Sequence, residues 1–110
     1  MGAYVEVAHL DRVQPGTGAL VAVGDRAVAL FNVDGQMFAI EDACVRCGSS
    51  LTSGALHDHD VICSGCHWHY DVRTGCVGGV PALCIDTFEV EIVDSRIMVA
   101  TTATLGCRAT

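Results

Sequence analysis

A chain of 110 residues, 51% of them hydrophobic, is long enough for one domain with a modest core and too apolar for a disordered tail. Its net charge of -7, from 13 acidic against 6 basic residues, argues against nucleic acid or an anionic membrane as a partner, since both call for a basic surface. No apolar run approaches the roughly twenty residues of a membrane span, and Met1 to Glu6 lacks the basic-then-apolar layout of a secretory signal, so a soluble cytoplasmic protein is expected.

Tyr4 to Ala8 alternates between faces and reads as a strand. Pro15-Gly16-Thr17-Gly18 is a loop, and Ala19 to Val23 and Arg26 to Val33 read as strands about a Gly24-Asp25 turn. Asp34-Gly35 is the strongest hairpin signal, because both central positions of a type I′ turn need positive φ; Gln36 to Glu41 returns as the partner strand. A cysteine-rich stretch follows. Within it, Leu56 to Asp60 reads as a polar hairpin tip carrying His57 and His59. Thr74-Gly75 is a turn, and Gly78, Gly79 and Pro81 mark a loop that passes close to something. Phe88 to Ile92 alternates apolar inward and acidic outward, Asp94-Ser95 turns the chain, and Arg96 to Ala100 closes a hairpin. Residues 101–110 have no periodicity and read as a loose tail. There is no amphipathic helix and no internal repeat. Short strands separated by turns predict an all-β barrel or sandwich, a single domain over residues 1–100 with a metal-binding lobe at about 43–71 inserted between its strands.

The lobe carries the chemistry. Cys44-Val45-Arg46-Cys47 and Cys63-Ser64-Gly65-Cys66 are two C-x-x-C pairs separated by fifteen residues. Two residues inside a pair let a tight turn aim both sulfurs at one point. Two such turns face to face supply the four thiolates that hold zinc, a single iron or an iron–sulfur cluster. The bland alternative is two local disulfides or four ordinary buried cysteines. Cys76, Cys84 and Cys107 are left over and are expected to be inert thiols: Cys84 near the core, Cys76 exposed, Cys107 in the tail. A thiol–disulfide exchanger built on one pair is disfavoured, because neither pair opens a predicted helix. No Ser-His-Asp set, carboxylate pair or phosphate loop is evident, so an enzyme acting alone is not expected.

From about Tyr4 to Ala100 the chain resembles the Rieske-type ferredoxins, small electron carriers that serve ring-hydroxylating oxygenases. The run Val28 to Ile40 is similar to the hairpin before the family's first cluster loop, and Glu41-Asp42-Ala43-Cys44 to its lead-in. Gly48 and Leu51 match first-loop positions. Trp68, Tyr70 and Asp71 match the aromatic and acidic positions after the second loop, and Arg73-Thr74-Gly75 and Pro81 the segment that folds back. The resemblance implies stacked antiparallel sheets with an inserted cluster lobe, and a reductase and a terminal oxygenase as partners.

The family's ligand pattern, C-x-H then C-x-x-H, is broken at both histidines. Arg46 stands at the first and is a poor ligand because it stays protonated; Cys66 stands at the second. With Cys47 substituting for the first, the ligand set becomes Cys44, Cys47, Cys63 and Cys66. The expected cofactor is a [2Fe–2S] cluster, Cys44 and Cys63 on one iron and Cys47 and Cys66 on the other. Zinc or a single iron, in a structural or partner-binding module, is the alternative. Four thiolates imply a potential clearly below the roughly -150 to +300 mV of histidine-ligated centres, plant-type clusters with four cysteines falling at about -400 mV. Arg46 either offsets the charge of the centre or is a solvated loop residue, and His67 is a candidate substitute ligand. The cysteines of the extra disulfide in high-potential relatives would align with Ser49 and Gly65.

Overall fold

The structure is a computed structural model that describes residues 3–78 and 80–103. Among the described residues the regular elements are twelve strands and two single-turn 3-10 helices, at Leu10–Arg12 and Leu51–Ser53. The strands are β1 (Tyr4–His9), β2 (Gly18–Val23), β3 (Arg26–Val33), β4 (Gln36–Glu41), β5 (Ala55–His57), β6 (Asp60–Ile62), β7 (His69–Asp71), β8 (Cys76–Val77), β9 (Val80–Cys84), β10 (Thr87–Phe88), β11 (Val90–Val93) and β12 (Arg96–Ala100). They form three antiparallel sheets, ordered β1-β12-β11, β10-β4-β3-β2 and β5-β6-β7-β8-β9. Among the described residues no helix is long and apolar enough to cross a membrane.

The four-stranded sheet lies in the middle, and β3 shows why. Side chains alternate along a strand. Val28 and Leu30 pack with Ile97 and Val99 of the three-stranded sheet, whereas Ala29, Phe31 and Val33 pack with Val61, Tyr70 and Val77 of the five-stranded one. With both faces covered, β3 is buried almost end to end, which accounts for its unbroken apolar run. Its neighbour β4 divides in the same way: Met37 and Ala39 face one core, Ile40 and half-buried Phe38 the other. The five-stranded sheet is thereby set on the middle sheet with the cysteine loops at its end.

The expected hairpins occur at their expected turns. Asp34 and Gly35 have φ of 53° and 92°, Asp94 and Ser95 have 51° and 63°, and Asp58, between His57 and His59, has 53°. Four expectations need correction. Phe88 to Ile92 is not one strand: Thr87–Phe88 pairs with β4 and Val90–Val93 with β12, the chain changing sheets at Glu89. Ile92 is exposed, so the apolar residues of this run do not all face inward. Pro81 lies in β9 rather than in a loop, at a sheet edge where a missing N–H costs nothing; Gly79 lies outside the described residues. Cys76 and Cys84 are not free thiols. The β8–β9 register sets them opposite each other, with Cα atoms 3.9 Å apart, and they form a disulfide.

The tail read as loose begins tied down. The Thr101 N–H and hydroxyl both donate to the Ala3 carbonyl, at 2.8 and 3.1 Å, and Ala103 packs on the core. Residues 104–110, including Cys107, lie outside the described residues.

Candidate metal centre

The two cysteine turns are the same backbone device built twice. In the first, the Gly48 N–H donates to the Cys44 carbonyl at 2.9 Å, and in the second the His67 N–H donates to the Cys63 carbonyl at 2.9 Å. Cys44 N–H donates to Ser49 O at 2.9 Å, Cys63 N–H to Trp68 O at 2.8 Å. Two residues after each leading cysteine an amide approaches its sulfur, Arg46 N–H to Cys44 Sγ and Gly65 N–H to Cys63 Sγ, both at 3.4 Å. Each turn closes on a residue with positive φ, Gly48 at 77° and His67 at 65°. Glycine takes that conformation freely and histidine with strain. The sequence shows no repeat at this level because most of these contacts are made by backbone.

Facing each other, the turns bring the four Sγ atoms within 4.8 Å of one another. Cys44 Sγ lies 3.6 Å from Cys66 Sγ, and Cys47 Sγ lies 3.5 Å from Cys63 Sγ. Cys44 and Cys63 are buried, Cys66 is half-buried and Cys47 exposed, so each turn points its first sulfur inward and its second outward. His67 is exposed and outside this group; its contribution is its backbone. His57 lies on the hairpin tip and is exposed, and the ring of half-buried His59 meets Phe38 edge-on at 5.7 Å. His69 faces Asp60 at 4.0 Å. His9 pairs with Asp11 at the surface.

Hydrogen bonds set the electrostatics. The buried Tyr70 hydroxyl accepts from the Val45 N–H at 2.9 Å and donates to Cys44 Sγ at 3.2 Å. Burial pushes the Cys44 thiol up, but hydrogen bonds from Tyr70 and from the amides of Cys47 and Arg46 outweigh it and bring it down to about 6. The Ser49 hydroxyl, 3.3 Å from Cys47 Sγ, lowers Cys47 as well. Desolvation pushes Cys66 up to about 12. The group thus ionises in part by itself, and a cation must displace the remaining protons. The Arg46 guanidinium stacks over the Trp68 ring at 5.1 Å; it is the Arg46 backbone that touches a sulfur.

Two features had little sequence signal. Asp42 is buried, and its carboxylate accepts from the Ser50 hydroxyl at 2.6 Å and from the Thr52 N–H and hydroxyl at 2.7 and 2.6 Å. It closes the first turn from below. The second of two acids between an apolar strand and a cysteine, with hydroxyl residues eight and ten positions on, is the trace that could have found it. The second is the contact of Ser49 with Gly65. A Cβ on Gly65 would collide with Ser49 Oγ and lie 3.0 Å from Cys47 Sγ, so the two turns meet at this point.

A family model described as the Rieske-like [2Fe-2S] domain matches residues 3–100. The biphenyl dioxygenase ferredoxin subunit of Pseudomonas sp. (strain KKS102) is 38% identical over 79 residues, covering 71% of this chain and 72% of that one. Ferredoxin CarAc of Metapseudomonas resinovorans is 34% identical over 102 residues, covering 88% and 92%. A chain in the complex of reduced oxygenase and oxidized ferredoxin of carbazole 1,9a-dioxygenase superposes with a TM-score of 0.84 at 30% identity, covering 93% of this chain and 96% of that one. In donor type, four thiolates suit an iron–sulfur centre.

Proposed function

The chain belongs to the Rieske-like [2Fe-2S] domain family, and from that premise we propose that it is a one-electron carrier for an oxygenase system, its iron centre held by Cys44, Cys47, Cys63 and Cys66. It passes electrons and does not itself turn over a substrate. Family membership supports an iron–sulfur centre. The observation that carries the reading is the convergence of four sulfurs, two buried and two at the surface, at the tip of a fold shared with ferredoxin components. The cofactor named for the family is a [2Fe–2S] cluster, and burial would make Cys44 and Cys63 its inner ligands.

When bound, such a centre supplies a reversible one-electron couple. The chain's own groups do the rest. Tyr70 and the Arg46 and Gly65 amides donate to the inner sulfurs and stabilise their negative charge. The Arg46 guanidinium sits over the half-buried Trp68 ring beside the exposed rim of the site. The excess of acidic residues steers the protein toward a basic face on a reductase and a terminal oxygenase. A cytoplasmic setting belongs to the same proposal.

Reductive titration of anaerobically purified protein tests it. One electron per chain is expected. Because no imidazole is in the ligand set, the potential should stay flat above neutral pH. A chain that takes up no electron, or a potential falling steeply with pH in that range, would overturn the proposal or its ligand set respectively.

A further inference from the structure

The spacing of the sulfurs says more than their number. A tetrahedral ion with bonds of about 2.3 Å to sulfur sets its sulfurs about 3.8 Å apart on every edge. Two irons bridged by two sulfides instead divide the thiolates into two pairs, and with similar bonds thiolates on different irons stand roughly 5 Å or more apart. Here all four Sγ atoms lie within 4.8 Å of one another, so every division into two pairs leaves the pairs too close. The division that burial demands fails most clearly. Inner Cys44 touches outer Cys66 at 3.6 Å, and inner Cys63 touches outer Cys47 at 3.5 Å, so thiolates assigned to different irons would be in contact.

The backbone agrees. The two turns have equal spacing and match bond for bond, each with an amide on its leading sulfur and a left-handed closing residue. Two equivalent turns whose leading sulfurs each contact the other turn's trailing sulfur describe a pseudo-twofold cage about one point. The lack of a side chain at Gly65 lets the turns close on each other: a Cβ there would collide with Ser49 Oγ and lie 3.0 Å from Cys47 Sγ of the facing turn.

We infer that Cys44, Cys47, Cys63 and Cys66 form a mononuclear site, one tetrahedral metal ion on four thiolates in place of the family's two-iron cluster. That the ion is iron rests on the electron-carrier proposal; that there is one ion rests on the sulfur spacing.

The test uses the full chain, purified anaerobically and, in a parallel sample, stripped and offered ferrous iron with excess sulfide. Metal and acid-labile sulfide are counted per chain, and iron K-edge X-ray absorption reports the neighbours of iron. One iron without sulfide, surrounded by sulfur and with no iron–iron scattering in either sample, is the expected result. Two irons and two sulfides with an iron–iron vector would overturn the single-ion site and leave the electron-carrier proposal standing. One zinc per chain, with iron refused in the reconstitution, would do the reverse.

Discussion

The two cysteine turns share a backbone and differ in what clamps their ends. The second joins β6 to β7 directly, and the Ile62–His69 pair of that ladder closes its base. The first leaves β4 and enters a loop with no strand beside it; the Asp42 carboxylate closes its base instead, through three hydrogen bonds to Ser50 and Thr52. A sheet holds one half of the site and a single buried side chain holds the other. Tyr70 ties them, since it stands on β7 of the second half and its hydroxyl reaches the amide and sulfur of the first. Both cysteine loops are therefore closed at the base, by different means.

Removing the metal should expose that difference most strongly. Cys66→Ser is expected to lose the bound ion and, with it, a large share of the folding energy of residues 43–71. Hydrogen exchange on this variant should show the Cys44–Ser50 amides opening first, while Val61 and Tyr70, paired within a ladder, stay protected longer. Simultaneous opening would mean that the clamps are not distinct. Asp42→Ala comes next. It leaves the Thr52 N–H and two hydroxyls without their shared acceptor at a buried site and should cost about 2–4 kcal/mol in denaturant unfolding of the holoprotein. Asp42→Asn should cost less, since one acceptor oxygen remains.

The closing residues give a subtler pair, with opposite signs. Gly48→Ala places a Cβ in open space, so its cost is conformational alone, about 1–2 kcal/mol. His67→Gly should stabilise by roughly 1 kcal/mol through release of strain at φ 65°. Thermal unfolding of the two variants checks both, and a loss of metal from His67→Gly would show that the imidazole has a role beyond its backbone.

Much of the frame was legible in the sequence because its signals are local. Turns that need positive φ stand at Asp34-Gly35 and Asp94-Ser95, and β3 and β4 run over the residues expected. The four cysteines and their spacing pointed to one site for the same reason. The missing parts depend on contacts made across the fold. Asp42 looks like any loop acid until Ser50 and Thr52 return above it. The split at Glu89 follows from which sheet each half can pair with, since the alternation of Phe88 to Ile92 is the same either way. The Cys76–Cys84 disulfide depends on a hairpin register that Pro81 disguised as a loop. Nuclearity depends on sulfur separations, which no ligand spacing specifies.

The smallest expected effect lies where the second half of the lobe rejoins the frame. Asp71 ends β7, and its carboxylate accepts from Arg73 Nε and Nη2 at 3.0 and 2.8 Å and from the Arg73 amide at 2.8 Å. The guanidinium hydrogen bonds hold its pKa below the ordinary 3.8. A carboxyl group lowered on folding stabilises the protein above the unfolded pKa, and that stability is lost as pH falls through the folded one. Asp71→Asn should therefore lower stability modestly at pH 7, and its deficit should shrink as pH drops below 3.8. The Arg73 side chain is half exposed, so salt should weaken the effect at neutral pH. Since β7 also carries Tyr70, the variant's effect on metal retention asks whether the sheet clamp needs this end fixed. Unchanged metal content with lowered stability would place the Asp71–Arg73 pair in the frame alone, and loss of both would extend the clamp of the second turn as far as Arg73.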